Sequence, residues 1–452
     1  MQDRKEEYWF RQGAKIRATA NDIKRNAEAL ATELGEDQQI IDDIFVGHAS
    51  SEIFDRVIRR MVEIYPVSRL DLEVMRDDTD DGVVIWPADR ALASSRVFDR
   101  IDASGQLTPF YEYRDVAMST VGPYRPEWIK TLRVVTSDDA EDSDVAYNNG
   151  HLMHQMTFFV GPVNFYWKVG AQSYLAKMNT GDSNYITPFV PHSFTSRDAS
   201  QEAYIVAVTF KGKLAHIQDE LAVLAPERVE QQMLDLSDRP RAFGGILRRE
   251  LDTGMLGLKQ LSQEAEISSV RLEHLLGGQD FPTSQELVRI SNVLGTNVRD
   301  LLPTESIDTN RVVVKRSSSE KSRHFPSEEC PSYRVADLAG SQNVPFAKGM
   351  AVSVLETVAN SEGQTLDLVA PAHEFAYNYG DEAALLQWQG SAGISEAVIQ
   401  PRGSYYMKPG VAHALRNLEP YRKSDVAIVR VGAAFHGDAH LELSSIPPEA
   451  LH

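Results

Sequence analysis

Apolar residues along the first 75 positions recur at helical spacing. Ala27, Leu30, Ala31 and Leu34 share one face, and Gly35 stands where a left-handed C-cap would close that helix. Ile40, Ile41, Ile44 and Phe45 make a second short amphipathic segment, and Phe54, Val57, Ile58, Met61 and Val62 a third. Short helices broken by glycine and polar turns predict a small helical bundle over residues 1–80. From 81 to 212 the period changes. Aromatic and β-branched runs predict strands at 83–86, 109–113, 132–135, 156–160, 164–169 and 204–210, with Gly161-Pro162 and the 180–183 Thr-Gly-Asp-Ser run as turns. The acidic stretch 138–144 predicts an exposed loop. Helical spacing returns over 213–305, and strands return over 306–452. The predicted class is α+β, a tandem repeat of a helical module and a β-barrel.

Two further patterns sharpen that outline. Leu256 to Ala265, Ser268 to Leu276 and Thr283 to Leu294, closed by Gly295, resemble a helix-turn-helix of the phage-repressor type, with Ser268 and Ser284 as N-caps. Its candidate reading face is Ser269, Arg271, Glu273 and His274, which is thin for contacting bases. The segment Ser183 to His192 aligns without a gap on Ser404 to His413, and His151 falls opposite His373. Pro409-Gly410-Val411-Ala412-His413 resembles the second motif of the cupin superfamily, small antiparallel double-sheet barrels that often hold a metal. The expected domains are therefore helical module 1–80, metal-bearing cupin barrel 81–212, helix-turn-helix-like module 213–305 and a degenerate cupin barrel 306–452.

Composition then excludes several classes. The formal net charge is -19, from 65 acidic and 46 basic residues, which argues against a nucleic-acid partner. The single cysteine, Cys330, rules out an intrachain disulfide framework and a cysteine-based zinc site, and it fits a cytoplasmic protein. The charged stretch Met1 to Arg11 is no signal peptide, and no apolar run is long enough for a bilayer.

Candidate chemistry concentrates between Tyr147 and Phe194. Side chains alternate along a strand, so His151 and Gln155 share a face while His154 points away. His192 reaches the same place from a later strand. The usual non-haem iron triad adds a carboxylate. Asp182 is the only one between the histidines, and its Gly-Asp-Ser context places it in a turn. The expected ligand set is His151, Gln155 and His192. In the second barrel Tyr377 matches Gln155, and Glu374 is expected to face away.

Asn148-Asn149-Gly150-His151, Thr180-Gly181-Asp182-Ser183 and Pro191-His192-Ser193 are similar to the motifs of the phosphonate-cleaving non-haem iron dioxygenases, the 2-hydroxyethylphosphonate dioxygenase and methylphosphonate synthase family. The resemblance implies Fe(II) without 2-oxoglutarate, a phosphonate substrate and O2. It implies substrate binding by Arg100 (with Arg114 as fallback), Tyr113, Asn148 and Lys24, with Tyr113 and Lys24 also acting in catalysis. Lys24 would reach a neighbouring subunit's site, which implies a homo-oligomer. A family serine falls at Ala207, so one substrate contact is expected to be missing. One branch of the family carries a glutamate ligand where this chain has Ile186. Gln155 and Ile186 together imply the branch that cleaves 2-hydroxyethylphosphonate to methylphosphonate and carbon dioxide or bicarbonate. The alternatives are the branch giving hydroxymethylphosphonate and formate, and, from another class, a cupin-containing transcriptional regulator.

Overall fold

The structure is a computed structural model and describes residues 2–304, 311–319, 321–358, 365–432 and 437–447. The expected boundary at 305/306 lies outside the described residues. Two compact units form. One comprises Met1–Asp80 with Ser119–Val121, and the other Asp81–Met118 with Gly122–His452.

The first unit is all helical: Gln2–Asp22, Ala27–Leu34, Gln38–Phe45, Ser51–Ile64 and Arg69–Leu72. Its helices start where sequence chemistry places them. The side chains of Asn26, Asp37 and Ser50 accept from the amides of Ala29, Gln39 and Ile53, and Gly35 closes its helix at φ 71°. Leu30, Leu34, Ile41, Ile44, Phe54, Val57 and Met61 form the core, each fully buried side chain contributing about 1.5–3 kcal/mol. Val62 does not join them and is exposed.

The second unit is built from strands and a helical segment, and its paired strands are antiparallel. In chain order the strands are β1 (Val83–Trp86), β2 (Arg96–Ile101), β3 (Leu107–Asp115), β4 (Tyr124–Thr131), β5 (His154–Val160), β6 (Val163–Val169), β7 (Gln172–Met178), β8 (Ser183–Ile186), β9 (His192–Ser196), β10 (Tyr204–Phe210), β11 (Val312–Lys315), β12 (Ser322–Phe325), β13 (Tyr333–Asp337), β14 (Ala347–Val354), β15 (His373–Asn378), β16 (Ala384–Gly390), β17 (Gly393–Ile399), β18 (Ser404–Met407), β19 (His413–Asn417) and β20 (Asp425–Val431). A seven-stranded sheet, β11-β8-β5-β10-β4-β3-β2, and a three-stranded sheet, β7-β6-β9, make a first pair. The second pair repeats it as β1-β18-β15-β20-β14-β13-β12 and β17-β16-β19.

Each pair borrows a strand from the other. Residues 83–86, expected in the first barrel, pair instead with β18, and β11 pairs with β8. Both are short and Val-rich, Val-Val-Ile-Trp and Val-Val-Val-Lys, suited to a sheet edge but carrying no local signal of which sheet they join. One expectation fails for a local reason. Residues 132–135 form only an isolated bridge at Val134, while the strand lies upstream at β4, disguised by Pro126. Pro126 lies beyond the last residue of β4 that pairs with β3, where a missing amide costs that pairing nothing.

The helical segment runs from Leu214 to Leu301. The helix-turn-helix-like part is Leu258–Glu264, Ser269–Leu276 and Ser284–Leu294, packed on Leu261, Leu272, Leu275, Leu287 and Ile290. Ser268 caps as expected. Ser284 does not; Thr283 is the N-cap, because Glu286 three residues on completes a capping box with it. Among the described residues no helix is long and apolar enough to cross a membrane.

Candidate active site

Three side chains meet at the open end of the first pair of sheets. His151 lies just before β5, Gln155 on β5 and His192 at the start of β9. Gly150 makes this possible. Its φ is 72°, and a Cβ there would lie 2.7 Å from the backbone of Phe189. The chain turns so closely that the Phe189 amide bonds the His151 carbonyl at 2.8 Å and the Asn148 amide bonds the His192 carbonyl at 3.1 Å.

The hydrogen bonds around the three side chains fix what they present. His151 Nδ1 is 2.8 Å from the Met153 carbonyl, and His192 Nδ1 is 2.8 Å from the Val190 carbonyl. A carbonyl only accepts, so each ring carries its proton on Nδ1 and turns an unprotonated Nε2 inward. Gln155 is buried, and its Nε2 donates to Thr157 Oγ1 at 2.9 Å, which turns its carbonyl oxygen inward too. That oxygen lies 3.1 Å from His151 Nε2. At this distance the pair is bridged either by a proton on Nε2 or by a cation bound to both atoms. The donor set therefore fits a divalent metal, which imidazole nitrogen and amide oxygen both ligate. Asn148 Oδ1 accepts from the amides of Gly150 and His192 at 2.9 and 3.0 Å, which aims its Nδ2 at His192 Nε2, 3.0 Å away. Burial pushes His192 down to about 4, the Val190 carbonyl opposing and His151 adding, so the ring stays neutral.

These groups open on a cavity of about 300 Å³. Tyr113 and Arg100 line it, as do Arg125, Glu127 and Thr209. Arg100 comes from β2, on the face it shares with Arg96 and Phe98; its β3 partner strand carries one extra residue, so that Phe110 and Tyr111 are both buried. The Arg100 guanidinium has no hydrogen-bond or ion-pair partner among the described residues. Arg114 is elsewhere: it pairs with Glu112 at 2.6 Å and lies 4.1 Å over the Trp128 ring. Desolvation, with Tyr111 and Glu127 adding, holds the Tyr113 phenol well above its usual range, so it is a neutral donor. Lys24 belongs to the helical unit, where it is exposed at φ 60°.

Sequence reasoning missed Arg125, Glu127, Ile129 and Thr209 of the cavity lining. On β4, Arg125, Glu127 and Ile129 alternate onto one face, but the strand itself was not recognised. Desolvation pushes the Glu127 carboxyl up, Asp115 adding and Arg96 and His151 opposing. Ala207, expected to replace a serine contact, is buried core; two residues on, Thr209 brings a hydroxyl to the cavity and stands opposite Gln155. Strand parity counted from Ala207 would have found it. His154 does point away, bonding Tyr185 at 2.6 Å and stacking on Phe210. Asp182 is a turn residue, accepting from the amides of Asn179 and Ser317 at 2.9 Å and from Arg316 at 3.0 Å. Ile186 is fully buried and stands opposite Gln155.

In the second pair of sheets the expected alignment fails. His373 does not match His151. It bonds Tyr406 at 2.7 Å as His154 bonds Tyr185, and it opens β15 as His154 opens β5. Glu374 therefore matches Gln155 and faces inward, not away. The counterpart of His151 is Ala370, whose carbonyl accepts from Gly410 at 2.8 Å. The two His-to-His separations are nearly equal by coincidence, and that misled the gapless comparison.

No family model matches the sequence. The chain is 35% identical over 445 residues to the methylphosphonate synthase of Nitrosopumilus maritimus, covering 98% of this chain and 93% of that one. A structure of Streptomyces albus HEPD, with substrate 2-hydroxyethylphosphonate and Fe(II) bound, superposes with a TM-score of 0.87 at 30% identity over 98% of this chain and 97% of that one. The (S)-2-hydroxypropylphosphonic acid epoxidase of Streptomyces wedmorensis is 26% identical over 135 residues, 30% of this chain and 62% of that one. Fold and donor set define a metal-dependent oxygenase class built on double-sheet units. Within it, the chain belongs to the methylphosphonate synthase family.

Proposed function

We propose that this chain is an Fe(II)- and O2-dependent enzyme that cleaves the carbon–carbon bond of 2-hydroxyethylphosphonate. One substrate and one O2 give methylphosphonate, carbon dioxide and water. No 2-oxoglutarate is needed, because the substrate itself supplies the electrons. The observation that carries this is the meeting of His151 Nε2, Gln155 Oε1 and His192 beside an unpaired Arg100, in a chain 35% identical to a methylphosphonate synthase. Each sheet pair is taken as one cupin barrel, so that the chain is a tandem of helical module and barrel, with the second barrel degenerate.

Iron held by His151, Gln155 and His192 supplies the one-electron chemistry that activates O2 against a bound substrate. The remaining work belongs to this chain's own side chains. Arg100, Tyr113 and Asn148 hold the phosphonate by charge and neutral hydrogen-bond donation. Neutral Gln155 would leave a bound Fe(II) one unit more positive than a glutamate would, a site charge that favours anionic groups beside it. Buried Ile186 offers no ligand in place of the glutamate. Among ionisable lining residues, Arg100 and Arg125 are opposed by Glu127, leaving one net positive charge from side chains against a phosphonate dianion. Exposed Lys24 of a neighbouring copy supplies the further cation and a proton-bearing group, which makes the enzyme a homo-oligomer.

The second reading, release of hydroxymethylphosphonate and formate, is favoured by the TM-score of 0.87 to the Streptomyces albus enzyme. Gln155 with Ile186 weighs against it. A DNA-binding regulator is disfavoured because Arg271, the one strong base-reading candidate, is held by Glu286 at 2.8 Å and by Asp280. The test is anaerobic loading with Fe(II) followed by oxygen uptake. Uptake should require 2-hydroxyethylphosphonate and vanish in H192A; uptake unaffected by either change contradicts the assignment.

A further inference from the structure

The second pair of sheets buries a charged cluster that the proposed reaction does not use. Glu374 is 1% exposed and takes donors from three sides. The Tyr405 hydroxyl lies at 2.8 Å, His413 Nε2 at 3.1 Å and Arg430 Nε at 2.6 Å. Burial alone would raise this carboxyl, but His413 and Arg430 outweigh it and hold it below the usual carboxylate range.

Register shows what these residues replace. Gln155 stands opposite Thr209 across β5 and β10, and Glu374 stands opposite Arg430 across β15 and β20. His192 and His413 each open their strand, with Nδ1 held by the carbonyl two residues back at 2.8 and 3.0 Å. Each follows a turn whose amide bonds the residue in the first ligand position: Phe189 to His151, and Gly410 to Ala370, both at 2.8 Å. The scaffold is thus retained around three positions. One ligand is kept as His413, one is strengthened from amide to carboxylate at Glu374, and one is lost at Ala370. An inward carboxylate and imidazole in a dry pocket require a positive charge beside them. In the second sheet pair, that charge is the Arg430 guanidinium, with His413 adding, since both of its ring nitrogens face oxygen acceptors.

We propose that Arg430 is a built-in cation occupying the place of a divalent metal, and that Glu374 and His413 are a latent metal-ligand pair. The register and hydrogen bonds of the second sheet pair carry this independently of which phosphonate product the first releases. It follows that the wild-type chain takes metal only at its first centre, and that removing the guanidinium while restoring the lost imidazole makes a second.

The test is the metal content of the full chain, with Co(II) as probe. Wild type should bind one equivalent. A370H/R430T should bind two, and A370H/R430T/H192A should keep one, with visible Co(II) absorption. A folded A370H/R430T that gains no equivalent over wild type overturns the proposal, as does a wild type that already binds two. A wild type binding none, with one gained in A370H/R430T, contradicts the proposed function but leaves this inference standing. Should A370H/R430T fail to fold, melting of R430M against R430M/E374Q decides. The double variant should melt higher, because without Arg430 the buried Glu374 carboxylate keeps only Tyr405 and His413 beside it, and equal or lower melting overturns the proposal.

Discussion

At the residue scale the account rests on which atom each side chain turns inward. Gln155 was legible because alternation along β5 sets it opposite His154, although His151, from which the alternation was counted, precedes the strand; the structure adds the reason its oxygen rather than its nitrogen faces His151: Thr157 takes the amide hydrogen. The choice between Arg100 and Arg114 was not legible, since both lie on strands with plausible reach. Arg114 is committed to Glu112 and Trp128, and Arg100 is not. R100K should therefore raise KM for the phosphonate about tenfold, roughly the 1.4 kcal/mol lost when a bidentate guanidinium becomes a point charge. R114K should leave KM unchanged; steady-state oxygen uptake checks both. His192 gives a pH prediction. Its folded value near 4 lies below the ordinary 6.5, so the unfolded chain binds the extra proton as pH falls between them. Stability of the metal-free protein should be flat above 6.5 and fall below it, by up to about 1.4 kcal/mol per pH unit from this group. H192Q should lose that share, giving a smaller drop in denaturation midpoint from pH 7 to pH 5 than wild type shows.

At the element scale, periodicity located six helical segments, over 27–34, 40–45, 54–62, 256–265, 268–276 and 283–294, and a strand at 156–160 beside Gln155, while Gln2–Asp22, Arg239–Thr253 and β9 went unlocated. It failed where a strand contains a local breaker, as β4 does with Pro126, and there it hid Arg125 and Glu127 together. It failed again at β15, because equal spacing of histidines is not equal placement in a strand; hydrogen bonding to Tyr406 rather than spacing identifies His373. The turn before β5 is the element on which the candidate site depends most. At Gly150 a side chain would collide with the Phe189 backbone and adopt a φ that only glycine holds cheaply. G150A should cost about 1–3 kcal/mol and lower iron occupancy, by displacing Asn148 and His151. Thermal melting with iron analysis of the purified variant checks this.

At the scale of the whole chain, the internal repeat was visible in sequence but its closure was not. Pairing between β1 and β18, and between β11 and β8, joins residues far apart, and nothing in a run of three or four apolar residues encodes a distant partner. The exchange makes the two sheet pairs mutually dependent. Val312, from β11, packs in the core beneath the candidate metal centre. V312D should destabilise by about 3 kcal/mol, an unpaired charge in an apolar core, and should deplete iron at His151 and His192. For the same reason the two sheet pairs should melt in one calorimetric transition; two separated transitions would contradict the coupling.

The central claim is that a His151, Gln155 and His192 centre turns 2-hydroxyethylphosphonate into methylphosphonate. Phosphorus NMR of the iron-loaded chain given that substrate and limiting O2 tests it most directly. The account predicts methylphosphonate as the main product, with labelled hydroxyl-bearing carbon recovered as carbon dioxide or bicarbonate. Hydroxymethylphosphonate with labelled free formate as the main products would contradict it.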